Sequence, residues 1–489
     1  MGPIDADWTK RYLFPPAFED FVPAEHPARF IREFVECILA EGGIKLEWRE
    51  ECGEGRPPYA AALLLRVWLY AYLNGITTTR KVEAACRDNV GMLWLTGLHA
   101  PDHNTLWRFW TMNRKQIRRV FRQTVQIAME AGMISMVLHA VDGTRIQARA
   151  SSRKAWHRKD LEKFLSRVDQ KIARLEAAIE SEPERGESWQ VPEALQEART
   201  MRAVIEQRLE VIREQEREHY NPADPDAEVM KLASGGTRLA YNAQIASEEK
   251  HSIIVAEQIV TDPADQGLLN PMLDLVEEQL GRMAADTVAD GGYNTEQTLV
   301  DAHNSERAIT LAAGPSDPES NSDKPYHASR FVFDPSSNTY GCPLGQRLSF
   351  DHRKTKGTDR VVSVYRSSAC ASCLVLTQCA RSKNGRTIER SQHHNLVEAH
   401  RRRRRSAEGR ARLKRRGPVV ERVFACIKGA LGFVRFGFHG RESVAAQWTW
   451  ICVAHNLRIL LARWTREVRH QLLTLLFNAS SAHVVRLIT

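Results

Sequence analysis

From Pro57 to about Met133, apolar positions recur at steps of three and four, the spacing of amphipathic helices, and Asn74-Gly75, Gly97 and Pro101 punctuate them. Within this block PDHNTLWRFW predicts a helix start with Asn104 as its cap and Leu106, Phe109 and Trp110 on the buried side. The period then changes. Val137, Leu138, Ala140 and Val141 suit a mostly apolar strand of about five to six residues that delivers Asp142 to an exit at Gly143-Thr144. Between His157 and Glu218 the helical period returns: Leu161, Leu165, Val168, Ile172, Leu175 and Ile179 alternate steps of four and three, as in a coiled-coil seam. After a break at SEPERGESWQVP, Met201, Ile205, Leu209 and Ile212 repeat the pattern. The expected product is an antiparallel helical hairpin inserted into a domain.

Strand-like runs follow in TRLAYNAQIAS and SIIVAEQIVT, then a helix in PMLDLVEEQLGRM. In DTVADGGYNTEQTLVDAH a short apolar strand again delivers an aspartate, Asp290, to a glycine turn with a helix just after it. Pro325 to Arg390 reads as short strands and loops. Beyond it, HRRRRRSAEGRARLKRRGP is the densest charge in the chain, relieved by the single Glu408. The last part reads as two helices around a Gly/Phe-rich connection, with Gly417-Pro418 breaking the chain before the first. On that helix Val420, Phe424 and Ile427 form an apolar stripe, and Glu421 and Lys428 lie on another face.

A chain of 489 residues holds two to four domains of ordinary size and buries a core that needs no disulfide staples. The excess of 69 Lys+Arg over 60 Asp+Glu favours a polyanionic partner. The amino terminus has no apolar signal segment, and the longest apolar run, AALLLRVWLYAYL, is interrupted by Arg66, so a cytoplasmic protein without membrane contact is expected. Nine cysteines in so long a chain are no disulfide framework. Cys37, Cys52, Cys86, Cys426 and Cys452 are scattered and read as ordinary thiols. Cys370 and Cys373 form a C-x-x-C pair, which Cys342 and Cys379 can complete as a Zn²⁺ site; the alternative is four reduced structural cysteines.

Taken alone, an aspartate before a glycine is most often a turn or cap residue. Two of them at strand ends, with a glutamate carried by a helix, match what two-metal phosphoryl chemistry requires: hard oxygen ligands for two Mg²⁺ (or Mn²⁺) ions about 3.5–4 Å apart. The run Arg401, Arg402, Arg403, Arg404, Arg405 abuts the glutamate helix and reads as a phosphate-gripping helix, against a solvated charge run. Arg145, Arg149, Arg153 and Lys154 would flank the same path of phosphates, or else form a solvated positive surface.

The segments RPPYAAALLLRVWLYAYLNGITTTRKVEAACRDNVGMLWLTGLHAPDHNTLWRFW, AVDGTRI, GGTRLAYNAQIA, VADGGYNTEQTL and VERVFACIKGALGFVRFGFHG resemble bacterial insertion-sequence transposases of the DDE class. The resemblance implies a mixed α/β fold: an all-α amino-terminal DNA-binding domain (1–134), an RNase H-like catalytic core (135–320) interrupted by the hairpin (157–218), a small Cys-containing subdomain (321–390), and a basic segment with carboxyl-terminal helices (391–489). It implies Asp142, Asp290 and Glu421 as the catalytic, metal-binding triad, with Lys428 beside it on DNA. It also implies binding of terminal inverted repeats, metal-dependent strand cleavage, transfer of the freed 3′-OH to target DNA, and a homo-oligomer working on DNA in the nucleoid. Related enzymes often carry Tyr seven and Arg four residues before the glutamate; here those positions are Lys414 and Gly417, and His439 replaces a common arginine. The alternatives are a catalytically inactive, repurposed DNA-binding relative and a stand-alone nuclease.

Overall fold

The computed structural model describes residues 17–48, 57–151, 155–180 and 192–464, apart from 215, 217, 316, 322, 358, 359 and 381. Cys52, Arg153, Lys154 and most of the break SEPERGESWQVP lie outside the described residues.

Six helices come first: α1 (Pro27–Ala40), α2 (Ala61–Leu73), α3 (Thr79–Asp88), α4 (Val90–Thr96), α5 (His103–Asn113) and α6 (Ile117–Glu130). Leu106, Phe109 and Trp110 of α5 are buried as the spacing requires. The cap of α5 is Asp102, not Asn104: its carboxylate accepts the amides of Asn104 and Thr105, each at 2.9 Å. Asn104 already lies inside the first turn, where its own N–H is one of those needing a partner.

A six-stranded sheet follows, built from β1 (Leu138–Gln147), β4 (Glu228–Lys231), β5 (Thr237–Glu248), β6 (Ile254–Val260), β7 (Asp286–Ala289) and β8 (Ile309–Leu311). β5 runs antiparallel to β1 on one side; β7 and then β8 run parallel to it on the other. β6 and β4 share the far edge of β5. The parallel strands need crossovers, which α9 (Leu269–Leu280) and α10 (Glu296–Asn304) supply.

The helical hairpin is α7 (Arg158–Glu180) and α8 (Glu193–Glu214), joined to the sheet through a two-residue ribbon of β2 (Trp156–His157) and β3 (His219–Tyr220). Its own small core contains Leu161, Val168, Ile205, Leu209 and Ile212, and Arg208 lies 4.4 Å over the Trp156 ring at the neck.

Residues 325–390 carry more regular structure than their sequence suggests. β9 (Val332–Asp334), β10 (Thr339–Gly341), β11 (Arg347–Lys356), β12 (Arg360–Arg366) and β13 (Ile388–Ser391) make an antiparallel sheet around Phe331, Tyr340, Leu348, Tyr365 and Ile388, with the single-turn α11 (Leu376–Cys379) beside it.

Three helices close the fold: α12 (His394–Arg405), α13 (Ala407–Ala425), whose last turn widens into a π-helical turn over Cys426–Ala430, and α14 (Arg441–Ala462). α13 runs straight through Gly417-Pro418, where a break was expected. Pro418 lies on the exposed side, so the helical N–H it lacks is missed by a carbonyl that solvent can reach. Val419 and Val420 of α13 pack on Leu138, Ala140 and Val288, covering one face of the sheet. α14 covers part of the other, buried along nearly all its length, Trp448, Ile451, Cys452 and Leu457 included. Asn456 of α14 takes the place of a missing strand neighbour for β6: its Oδ1 accepts the Ile254 amide and its Nδ2 donates to the Ile254 carbonyl, both at 2.9 Å. The same Nδ2 donates to Thr124 of α6 at 3.1 Å. The largest core is continuous from α1 through the sheet to α14. Among the described residues no helix is long and apolar enough to cross a membrane.

Candidate active site on the sheet beneath α13

Register brings the two aspartates together. β1 and β7 pair in parallel from Leu138↔Asp286 to Val141↔Ala289, so Asp142 and Asp290 are the next positions on adjacent strands, roughly 5 Å apart at the backbone. Side chains alternate along a strand, which puts Asp142 and Asp290 on the face of Leu138, Ala140 and Val288, beneath α13. The expected strand end at Asp142 holds only on this edge. On the other edge β1 continues against β5 through Gln147, so Asp142 is a mid-strand residue.

Gly143 is therefore not a turn residue. A Cβ there would fall 2.1 Å from Nε2 of Gln244, a buried residue of β5, and the missing side chain makes room for that amide. Gly291 has a comparable reason: a Cβ would lie 2.1 Å from the Ala313 carbonyl oxygen. Asp142 accepts the Gly143 amide and Asp290 the Gly292 amide, both at 2.8 Å.

A third aspartate, which the sequence reading passed over, adjoins them. Asp265, on the loop after β6, accepts hydrogen bonds from Asn242 and Gln244 at 2.9 Å and pairs with Arg145 at 2.8 Å. Tyr293 donates its hydroxyl to Gln244 from within the same buried network. A Cβ on Gly292 would touch Asp290 at 3.0 Å and Asp265 at 3.4 Å, so these two carboxylates converge. Burial pushes the Asp142 carboxyl up to about 6; Arg416 and the Gly143 amide oppose that, and the charges of Asp290 and Asp265 add to it. The Tyr293 hydroxyl is raised by burial and by the same three aspartates.

α13 delivers cations to this face. Arg416 Nη1 lies 2.9 Å from Asp142 Oδ2. Within the π turn, Lys428 donates to Thr144 Oγ1 at 2.6 Å; burial lowers its pKa and Asp142 partly restores it. Glu421 shares a helix face with Gly417, Phe424 and Lys428, at steps of four, three and four. It is exposed, and a Cβ on Gly417 would lie 3.3 Å from its Oε1. The structure thus places Glu421 on the exposed side of α13, without joining it to either aspartate. Among the described residues no three His, Cys, Asp or Glu side chains are gathered closely enough to hold a metal ion. The donor chemistry nonetheless suits a hard cation, since Asp142 and Asp290 offer carboxylate oxygens from adjacent strands and Arg416 is the positive charge that now meets one of them.

The arginine run forms α12, as expected, but much of it is spent inside the protein. Arg401 and Arg404 bind the two oxygens of Asp317 at 2.8 and 2.7 Å, and Arg403 reaches Asp286 at 2.9 Å. The Arg404 and Asp317 side chains are only 5% and 7% exposed, an internal clasp. Arg402 and Arg405 remain exposed. Arg145 and Arg149 are likewise engaged, by Asp265 and by the Gly437 carbonyl at 2.7 Å.

Cys342, Cys370, Cys373 and Cys379 are all half-buried and reduced. Burial raises the Cys379 thiol and the other three raise it further, so the four occupy one neighbourhood without forming a closed ligand set. Gly385 packs against Cys370, where a Cβ would come within 2.1 Å of the Cys370 Cβ. Cys37, Cys86 and Cys452 are buried free thiols, and Cys426 is half-buried.

Asp265 had one signal in the sequence, an aspartate shortly after an apolar strand. Arg416 had none beyond the charge run that contains it.

Comparison with known families gives two matches. Residues 16–112 match the family described as Transposase domain (DUF772), and residues 341–461, which include Glu421, Lys428 and the four cysteines, match Transposase DDE domain. No curated protein and no solved structure matches the chain. A transposase-domain match early in the chain and a DDE-domain match late in it together support an insertion-sequence DDE transposase.

Proposed function

We propose that the protein binds the terminal inverted repeats of its element and performs metal-dependent DNA strand cleavage and strand transfer at Asp142, Asp290 and Glu421. The observation that carries this reading is the parallel register of β1 and β7, which sets Asp142 beside Asp290 under the helix bearing Glu421 and Lys428. The strand order β6–β5–β1–β7–β8, three antiparallel strands followed by two parallel ones, supports an RNase H-like core for residues 135–320. The hairpin neck at β2 and β3 supports reading 157–218 as an insertion, and the second sheet a subdomain over 321–390.

On this reading Asp142, Asp290 and Glu421 would hold a pair of Mg²⁺ or Mn²⁺ ions. When bound, such ions would supply activation of the attacking oxygen and stabilisation of the leaving one. Asp265, Asn242 and Gln244 hold the floor of the site rigid, and Lys428 stands at the edge where a DNA phosphate would lie. Arg402 and Arg405, together with the amino-terminal helices, are the candidates for further contact with the duplex, and two copies would hold the two ends. The four cysteines would close on one zinc ion by small rotations. About one zinc per chain in protein purified without chelator supports that, and zinc-free folded protein makes them structural thiols.

The test is cleavage and joining of a duplex carrying the terminal repeat, with Mg²⁺ or Mn²⁺, beside a binding titration at two salt concentrations. Wild type should bind, cut and join. Asp142→Asn, Asp290→Asn and Glu421→Gln should bind as well or slightly better, because the site becomes less negative, and fail to cut. Wild-type protein that binds the repeat without cutting would instead be a non-catalytic DNA-binding relative.

A further inference from the structure

We infer that Arg416 is a resident countercharge on Asp142, which an incoming divalent cation must displace, so that this one side chain limits metal loading in the DNA-free protein. The inference rests on the proposed role of Asp142 and Asp290. Three carboxylates neighbour one another around the middle of β1 and the ends of β6 and β7, and they are compensated differently. Asp265 is held by Arg145 and two buried amides, and Asp290 accepts the Gly292 amide. Asp142 has its neighbour's amide and a single ion pair, from Arg416 Nη1 to Oδ2.

That pair is built to open. The side chains of Arg416 and Asp142 are 25% and 20% exposed, whereas the permanent clasp of Arg404 on Asp317 is 5% and 7% exposed and reinforced by Arg401. Arg416 reaches down from α13 to Asp142, and both side chains keep contact with solvent. A guanidinium cannot give up its proton, so a metal reaches this oxygen only by moving the side chain away. DNA phosphates offer that side chain another anion. A duplex laid over the site therefore frees Asp142, and metal and DNA binding reinforce each other.

Mn²⁺ binding to the full chain, followed by electron paramagnetic resonance at pH 8 without DNA, tests this. Arg416→Gln should bind Mn²⁺ about two- to fivefold more tightly than wild type, the range expected for loss of a competing, partly exposed ion pair. Asp142→Asn and Asp290→Asn should bind it more weakly. Adding the terminal-repeat duplex should tighten Mn²⁺ binding by a larger factor in wild type than in Arg416→Gln. Unchanged or weaker Mn²⁺ binding in Arg416→Gln, with both aspartate variants impaired, overturns this inference alone. Unchanged binding in both aspartate variants overturns the proposed site as well. Should Arg416→Gln not fold, Arg416→Met keeps the aliphatic stem and carries the same expectations.

Discussion

Asp286 opens β7 and Asp290 follows its last residue; both face α13, and the basic helices α12 and α13 serve them differently. Asp286, with its side chain 2% exposed, receives Arg403, Arg412 and the Thr310 hydroxyl. Among the described residues Asp290 accepts the Gly292 amide and meets no cation. A buried carboxylate that is only structural collects counterions until its charge is offset. One left short of them, beside two others, is held ready for a charge from outside the chain. Compensation, more than burial or position, separates the two ends of this strand.

The strongest way to break the comparison is to exchange the two losses. Asp290→Asn should lower strand cleavage on the order of a thousandfold, several kcal/mol of barrier, with the melting temperature unchanged or raised. Asp286→Asn should do the reverse, costing about 2–3 kcal/mol of stability in denaturant titration, because Arg403 and Arg412 lose the anion that orders them. If both variants lose stability alike and neither loses cleavage, the distinction between the two aspartates is wrong.

Acid sharpens it next. His400 of α12 accepts the Leu311 amide through Nε2 at 3.1 Å, and burial, with Arg404, pushes it down to about 4. Its unfolded pKa near 6.5 lies higher, so the unfolded chain binds the extra proton and stability falls as pH drops from about 6.5 to 4, by up to about 3 kcal/mol. Asp317 adds to the loss lower down. Burial alone would raise it, but the Gly314 amide, Arg401 and Arg404 hold it below the ordinary range, so its contribution disappears as pH falls through that depressed value. Urea unfolding at pH 7.5, 5.5 and 4.5, the three conditions suggested by that roughly 6.5-to-4 window, should show His400→Gln with a shallower acid slope than wild type.

Gly143→Ala tests the floor of the site. Its methyl group would collide with the Gln244 amide, an overpacking that costs about 1–3 kcal/mol and disturbs Asp265 and Tyr293 through their bonds to Gln244. The smallest effect belongs to the arginine run. Arg402→Gln should flatten the salt dependence of DNA binding by about one unit of slope with little change in melting, and Arg404→Gln should lower melting instead.

What could be read from the sequence, and what could not, follows from the same physics. The apolar periods gave the helices, the hairpin and the strands around both aspartates, because burial acts on each element locally. The continuation of β1 past Asp142 was hidden, since it depends on Gln244 of β5 filling the space above Gly143. The arginine run looked free because its partners, Asp317 and Asp286, lie far away in sequence. Arg416 and Asp265 join the site through contacts 274 and 120 residues long, which no spacing rule reaches. The Gly417-Pro418 pair looked like a stop, and its exposed placement on α13 let the helix pass.

α14 sets the order in which the protein can be made. Its residues cover α2, α6 and β6, with Tyr72 and Trp450 stacked 5.2 Å apart and Asn456 completing the edge of β6. A ribosome adding about 5–20 residues per second takes on the order of twenty to ninety seconds to reach that helix. Until then the first-made helices carry an uncovered apolar surface and are clients for chaperones. A message cut short before codon 441 would yield an aggregation-prone chain, and not a smaller DNA-binding protein.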